Sequence, residues 1–399
     1  MMIKRKAEKK LRQLSGSFPA VAVIGPRQAG KTMLVRKVFS NKPYVLLENP
    51  EARLFAEEDP LGFLAQFPKG AIFDEVQKVP HLFSYLQGIL DDKNKPGLFI
   101  LTGSQNFLLM EKITQSLAGR IAILKLLPLT IEELSSANID FDNYEEYLFR
   151  GMYPRLYDKH IAPEDLYSNY VQTYIERDLR ELKNVHNLST FHMFIRMCAQ
   201  RTGQILNLSS LADDCGITHN TAKEWISLLE MSFIVFRLER YYKNFNKRLI
   251  KMPKLYFLDS GLASYLAGIR DAGQLKTHPL KGPLFESFIM SEFVKYGYNR
   301  GQGIGLYFWR DKMGHEIDCI SEGFPNPIPI EIKSGRTITA DYFKNITYWC
   351  DLAGIDRGGS YIVYGGIKNQ KRLNGHIVGF KDCLDAVQGK ESESRCDEK

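Results

Sequence analysis

The strongest constraint on this chain is local. Ala20-Val21-Ala22-Val23-Ile24 is a short, unbroken apolar run, and it leads directly into Gly25-Pro26-Arg27-Gln28-Ala29-Gly30-Lys31-Thr32. A helical segment, Met33-Leu34-Val35-Arg36-Lys37-Val38, follows. An apolar run without alternation is the pattern of a strand buried on both faces, as in a parallel sheet. The segment after it satisfies G-x-x-x-x-G-K-[ST] in the context that gives the pattern meaning, strand before and helix after.

Each residue type in that loop has a chemical reason. Gly25 and Gly30 let the stretch Pro26, Arg27, Gln28 and Ala29 curl so that the amide N–H groups after Pro26 point at phosphate oxygens. The helix that follows adds its positive N-terminal end. Lys31 is placed to reach β- and γ-phosphates, and the Thr32 hydroxyl to take one position on Mg²⁺. A site of this kind also needs an acidic strand end beside the loop, and Gly70-Ala71-Ile72-Phe73-Asp74-Glu75 supplies it. Asp74 is expected to hold Mg²⁺ through a water, and Glu75 to act as the base that orients the attacking water.

Further strands are expected at Tyr44 to Glu48, Leu98 to Ser104 and Ile121 to Leu124. Thr102 or Ser104 would contact the γ-phosphate or the lytic water. Five strands alternating with helices, with an extra strand between the phosphate loop and the Asp-Glu strand, predict a doubly wound parallel α/β core. The segments GPRQAGKT, AIFDEVQKVP, FILTGSQ and SLAGR, within roughly residues 18–135, resemble the AAA-type branch of P-loop ATPases. That resemblance implies an arginine completing the site, often from a neighbouring subunit, with Arg120 the candidate by position, and hence a homo-oligomer. There is no Asn-Lys-x-Asp motif to read guanine, so ATP is expected rather than GTP.

Residues 142–200 are rich in helix formers and aromatics, and Arg177 there is a further candidate to reach the nucleotide. From Asn207 to Leu229, a short helix, a glycine turn at Gly216, an N-capping Thr218 and a second amphipathic helix form a helix-turn-helix pattern. Strands at Phe233 to Leu238 and Lys254 to Leu258 would complete a winged helix. His219, Asn220 and Lys223 would face a nucleic-acid groove. The connection from Arg237 to Lys254 carries +6, with Tyr241, Tyr242 and Phe245 interleaved, which suits phosphate and base contacts.

In the last third, Leu280 to Val294 reads as a helix with Glu286 beside its apolar stripe. Strands follow at Leu306 to Arg310, Glu316 to Ile320 and Pro329 to Lys333. Period two places Glu331 and Lys333 on one face and Ile330 and Ile332 toward the core. Glu286, Asp318 and Glu331-x-Lys333, in that order, resemble the PD-(D/E)XK nuclease fold. The resemblance implies that the carboxylates of Glu286, Asp318 and Glu331 hold Mg²⁺ while Lys333 orients or activates a water.

The whole order resembles a family of prokaryotic AAA-type ATP-binding proteins with a C-terminal nuclease-like domain. It implies an ATPase core over 1–140, a helical linker and winged-helix domain over 141–272 and a PD-(D/E)XK nuclease-like α/β domain over 273–388; the tail over 389–399, rich in Glu, Ser and Lys, is expected to be disordered. The expected activity is Mg²⁺-dependent ATP hydrolysis that couples nucleotide state to nucleic-acid binding or cleavage, DNA rather than RNA. The competing reading is a nucleotide switch whose nuclease-like domain is catalytically silent.

Composition narrows the setting. The net charge of +7 is unevenly spread: Met1 to Arg12 carries +5 and the 237–254 connection +6, leaving the remainder at −4. Residues 4–14 read as a basic amphipathic helix with Ala7, Leu11 and Leu14 on one face. The 6 cysteines form no C-x-x-C pair. There is no signal-peptide pattern and no membrane-spanning run, so a cytoplasmic protein with free thiols and no membrane partner is expected.

Overall fold

A computed structural model describes residues 3–103, 113, 115–175, 188–242, 252–303, 305–322 and 326–389. Strands β1 (Ala20–Ile24), β2 (Tyr44–Leu46), β3 (Ala71–Asp74), β4 (Phe99–Gly103) and β5 (Ile121–Lys125) form one sheet in the order β2-β3-β4-β1-β5. Every pairing is parallel. The sheet is covered on both sides, which explains why its strands read as continuous apolar runs. Ala20, Ala22 and Ile24 pack into one cluster, with Phe73, Phe99 and Leu101. Val21 and Val23 face the other, with Leu34, Ile100 and Leu124. Helix Ala7–Ser17 closes that second face through Ala7 and Leu11.

The second region runs helix Leu188–Gln200, β6 (Gln204–Ile205), helix Leu208–Cys215, helix His219–Met231, β7 (Val235–Leu238) and β8 (Lys254–Phe257). Its strands pair antiparallel in the order β6-β8-β7. The turn between the two short helices follows from local chemistry. Gly216 ends the first helix in the left-handed region at φ 63°, and the Thr218 side chain caps the second by accepting from the Thr221 amide.

The third region is a six-stranded mixed sheet of β9 (Leu306–Arg310), β10 (Glu316–Ser321), β11 (Ile328–Lys333), β12 (Tyr361–Tyr364), β13 (Gln370–Arg372) and β14 (Gly375–Gly379). Its order is β13-β14-β12-β11-β10-β9. Strands β9, β10 and β11 pair antiparallel, whereas β11, β12 and β14 are parallel. Helix Lys281–Asn299 packs on one face with Ile330, Ile332 and Val363. Helix Lys344–Ala353 packs on the other with Ile317, Ile320 and Ile362.

The second and third regions share a core. One hydrophobic cluster runs from Leu129 through Phe194, Trp225 and Phe288 to Val387. The chain just past β7 also joins the edge of β9, where the Tyr241 amide donates to Phe308 O at 2.7 Å and the Phe308 amide to Glu239 O at 3.0 Å. Helix Lys281–Asn299 reaches the first region too: the Ile131 amide donates to Glu292 Oε2 at 2.9 Å. No helix among the described residues is long and apolar enough to cross a membrane. Of the expected tail, only Gly389 lies within the described residues.

Candidate functional site

The loop from Gly25 to Thr32 leaves the carboxyl end of β1 and enters helix Lys31–Val38. Gly25 is required by close approach, because a Cβ there would stand 2.0 Å from the Leu126 carbonyl oxygen. Gly30, at φ 91°, is required by its left-handed backbone. The Lys31 ammonium is folded back into the loop, 2.9 Å from Gly25 O and 2.8 Å from Pro26 O.

Strand order sets the acid beside the loop. β4 separates β1 from β3, and its Thr102 lies next to Asp74. Asp74 is buried and held by hydroxyls: Oδ2 accepts from Thr32 Oγ1 and from Tyr44 Oη, both at 2.7 Å, while Oδ1 accepts from Thr102 Oγ1. Burial, followed by Asp74, pushes the Tyr44 hydroxyl far up, so it remains a donor. A hydroxyl and a carboxylate so close form the all-oxygen donor set that Mg²⁺ takes together with waters and phosphate oxygens. The residues present fit that ion. Glu75 follows at φ 56°, a left-handed backbone that costs a non-glycine residue about 1–3 kcal/mol.

Thr102 corrects one expectation. It is fully buried and spends its hydroxyl on Asp74 rather than facing a phosphate. Ser104 and Arg177 lie outside the described residues. Arg120 sits just before β5, at the amino edge of the sheet, and pairs with Asp91 of helix Leu82–Lys93. The phosphate loop is at the opposite edge, about 15 Å of strand away at ~3.3 Å per residue. Arg120 therefore does not complete the site of its own chain.

Two features beside the loop have no local signal in the sequence. A cavity of about 280 Å³ adjoins Gly30; Ile3, Leu129 and Pro154 give it an apolar wall suited to a flat base, and charged Glu8, Lys37 and Asp158 line it as well. Arg5 is buried at its edge, donating to Ala29 O and Leu127 O, each at 2.6 Å, and pairing with Glu133 at 3.1 Å. The basic amino-terminal segment therefore uses one of its charges internally.

The C-terminal residues named from the sequence do converge. Lys333 Nζ is 3.3 Å from Asp318 Oδ2 and also pairs with Glu331. The Ile332 amide donates to Asp318 Oδ2 at 2.8 Å. Glu331 stands beside Ile362 of β12, on a face covered by the second helix layer, and is only 1% exposed. Two residues join them. Glu316 lies on the same strand as Asp318, and Lys254 of β8 pairs with Glu286 at 2.8 Å and with Glu316, lying 3.9 Å from Asp318. Burial alone would lower the Lys254 ammonium, but Glu286, Tyr256, Asp318 and Glu316 more than offset it and hold it charged. Burial raises Glu286, and Lys254 offsets only part of that rise. In this arrangement the carboxylates do not fit a Mg²⁺ ion, because an ammonium stands among them. No group of three or more metal-ligating side chains is poised for a metal among the described residues.

The expected basic face is partly internal. Lys254 is buried, and Tyr241 packs against Tyr307 and Trp349 at 2% exposure, so neither is available to nucleic acid. Tyr242 is 64% exposed with the Arg240 guanidinium 4.2 Å from its ring centre. Residues 243–251, including Phe245, lie outside the described residues. His219, Asn220 and Lys223 are exposed at the start of their helix.

The phosphate loop, its lysine and threonine, and the acid at the end of β3 on a parallel sheet define an AAA-type P-loop ATPase core. A family profile described as an AAA domain matches residues 17–135. Profiles described as domains of unknown function match residues 141–273 (DUF8612) and 281–382 (DUF4143). The chain belongs to the same family as an uncharacterised protein of Mycobacterium tuberculosis, 30% identical over 342 residues that span 84% of this chain and 75% of the relative. An uncharacterised Haemophilus influenzae protein is 22% identical over 214 residues, 50% of this chain and 52% of its own. Among solved structures, a Walker-type ATPase of Pyrococcus abyssi is similar with TM-score 0.42 and 17% identity, over 66% of this chain and 96% of that one. The Thermotoga maritima RuvB Holliday junction branch migration motor has TM-score 0.30 and 17% identity, over 58% and 88%.

Proposed function

We propose that this chain is a Mg²⁺-dependent ATPase whose nucleotide state is passed to a nucleic-acid-binding C-terminal half, with DNA preferred over RNA. The carrying observation is the 2.7 Å hydrogen bond between Thr32 and Asp74, with the Lys31 ammonium held in the loop beside it. Lys31 would exchange its two carbonyl partners for β- and γ-phosphate oxygens. Thr32, and Asp74 through a water, would hold the ion, which would supply neutralisation of the phosphate charge. Glu75 would accept the proton of the attacking water. The cavity lined by Ile3, Leu129 and Pro154 would take the adenine.

Helix Lys281–Asn299 supports coupling, since Glu292 on it caps the backbone at Ile131 just beyond the ATPase sheet. The helix–strand–helix–turn–helix–hairpin order of residues 188–257 supports a winged-helix reading, with exposed His219, Asn220 and Lys223 as groove contacts and Tyr242 as a stacking ring. Arg120, remote from its own loop, would act on a neighbouring subunit of a homo-oligomer. A second reading, a switch with a catalytically silent nuclease-like domain, is favoured by the Lys254 ammonium among the C-terminal carboxylates. Steady-state ATPase assays test the first reading: Lys31→Ala abolishes ATP binding and turnover, and unchanged turnover in that variant overturns the assignment.

A further inference from the structure

Four buried or half-buried carboxylates, Glu286, Glu316, Asp318 and Glu331, are drawn together by three separate elements of the C-terminal domain. Such a group is unstable without positive charge, and in nuclease-like folds a divalent cation ordinarily provides it. In this chain the charge comes from within. Lys254, 3% exposed, pairs with Glu286 and Glu316 and approaches Asp318, so three of the carboxylates converge on one ammonium. Lys333 neutralises the remainder by pairing with Asp318 and Glu331.

Lone pairs that a metal would need are also in use. Glu286 Oε1 accepts from both Lys254 Nζ at 2.8 Å and Tyr256 Oη at 2.5 Å. Asp318 Oδ2 accepts from the Ile332 amide as well as from Lys333. Glu331 Oε1, by contrast, is buried with no hydrogen-bond partner. Lys254 and Tyr256 both belong to β8, which is paired to β6 and β7 of the helix-turn-helix region and not to the C-terminal sheet. The cation therefore reaches the cluster from a different part of the molecule than the acids do.

We propose that Lys254 is a resident counter-cation that takes the place of the metal ion, holds the carboxylate cluster closed to divalent ions and clasps β8 to helix Lys281–Asn299. A divalent ion and the ammonium repel at this separation and compete for the same oxygens, so a metal binds only when Lys254 is withdrawn. This rests on the nuclease-like reading of the C-terminal domain and is independent of the ATPase assignment.

Mn²⁺ binding followed by electron paramagnetic resonance without nucleotide tests the proposal, using full-length protein carrying Asp74→Asn so that the ATPase position does not contribute. With Lys254 or Lys254→Arg, no Mn²⁺ site depends on Glu331. Lys254→Met gains one site at least tenfold tighter, lost again when Glu331→Gln is added. A folded Lys254→Met protein that gains no such site overturns the proposal, as does a Mn²⁺ site in the Lys254 protein that Glu331→Gln removes. If Lys254→Met does not fold, Lys254→Gln, which removes the ammonium and keeps all four carboxylates, carries the same comparison. Anomalous scattering from Mn²⁺-soaked crystals of the unmodified chain gives an independent decision: a peak between Glu286, Asp318 and Glu331 overturns the proposal, and its absence supports it.

Discussion

The Arg5 guanidinium donates to the carbonyl of Ala29, inside the phosphate loop, at 2.6 Å. It also donates to Leu127 O and pairs with the fully buried Glu133. One side chain thus ties the amino-terminal segment, the loop, the exit from β5 and helix Ile131–Ser135 into a unit. Glu133 is further engaged by the Lys6 amide at 2.6 Å and the Thr130 amide at 3.1 Å, which fix the acid beside Arg5.

Removing that tie should reach the nucleotide without touching it. Arg5→Ala leaves the Glu133 charge buried without its partner, which destabilises by about 3–5 kcal/mol. It also frees the Ala29 carbonyl and should weaken ATP binding about tenfold, roughly 1.4 kcal/mol. Arg5→Lys should not restore binding, because a single ammonium cannot span three acceptors. Isothermal titration with ATP and urea unfolding check both effects.

Glu75 is expected to act on the attacking water and not on nucleotide binding. Glu75→Gln should lower turnover by about 10²–10⁴-fold, the range for loss of a general base, with the ATP dissociation constant changed less than about threefold. Stopped-flow phosphate release, set beside ATP binding by the same protein, separates the two. Equal losses in both would remove Glu75 from the chemical step.

Asp140, at the end of the ATPase region, links Tyr147 to Lys381 of the third region and gives a pH signature. It accepts from Tyr147 Oη at 2.7 Å and from Lys381 Nζ at 2.8 Å. Burial raises its carboxyl, but Lys381 and Tyr147 more than offset this and hold it below the usual aspartate value. A carboxyl with a depressed folded pKa contributes stability above its unfolded value of about 3.9, lost as pH falls through the folded value. The pair is half exposed, so Asp140→Asn should cost only about 0.5–1 kcal/mol at pH 7. That gap should close as the pH falls below ~3.9, and urea midpoints of the two proteins across this range decide it.

Arg120 separates two kinds of site. Its pairing with Asp91 at the amino edge of the sheet predicts that Arg120→Ala leaves ATP binding within about twofold at low protein concentration, since loss of an exposed pair changes stability by ~1 kcal/mol or less. A trans-acting role predicts a turnover defect seen only where subunits associate. Mixing Arg120→Ala with Glu75→Gln should then recover part of the turnover, and no recovery at any ratio removes Arg120 from the site.

The ATPase half was legible because its chemistry is contiguous. The residues from Gly25 to Thr32 adjoin in the chain, and Asp74 announces itself as the acid after a buried strand. Thr102 misled for a physical reason: the strand pattern marks it as an end residue, but only sheet order puts β4 between β1 and β3 and turns its hydroxyl to Asp74. Tyr241 and Lys254 misled likewise. Basic and aromatic residues in a connection read as an exposed face, yet the C-terminal sheet covers both.

What the chain determines by itself is the set of local units: a phosphate loop between strand and helix, a capped helix-turn-helix, and acids at strand ends. These follow from backbone conformation and hydrophobic period, which act over a few residues. Only the tertiary structure decided which charges meet. Arg5 finds Glu133 across 128 positions, and Lys254 finds Glu286 across 32. Burial requires each such charge to find a partner, and the packing of the elements chooses which one.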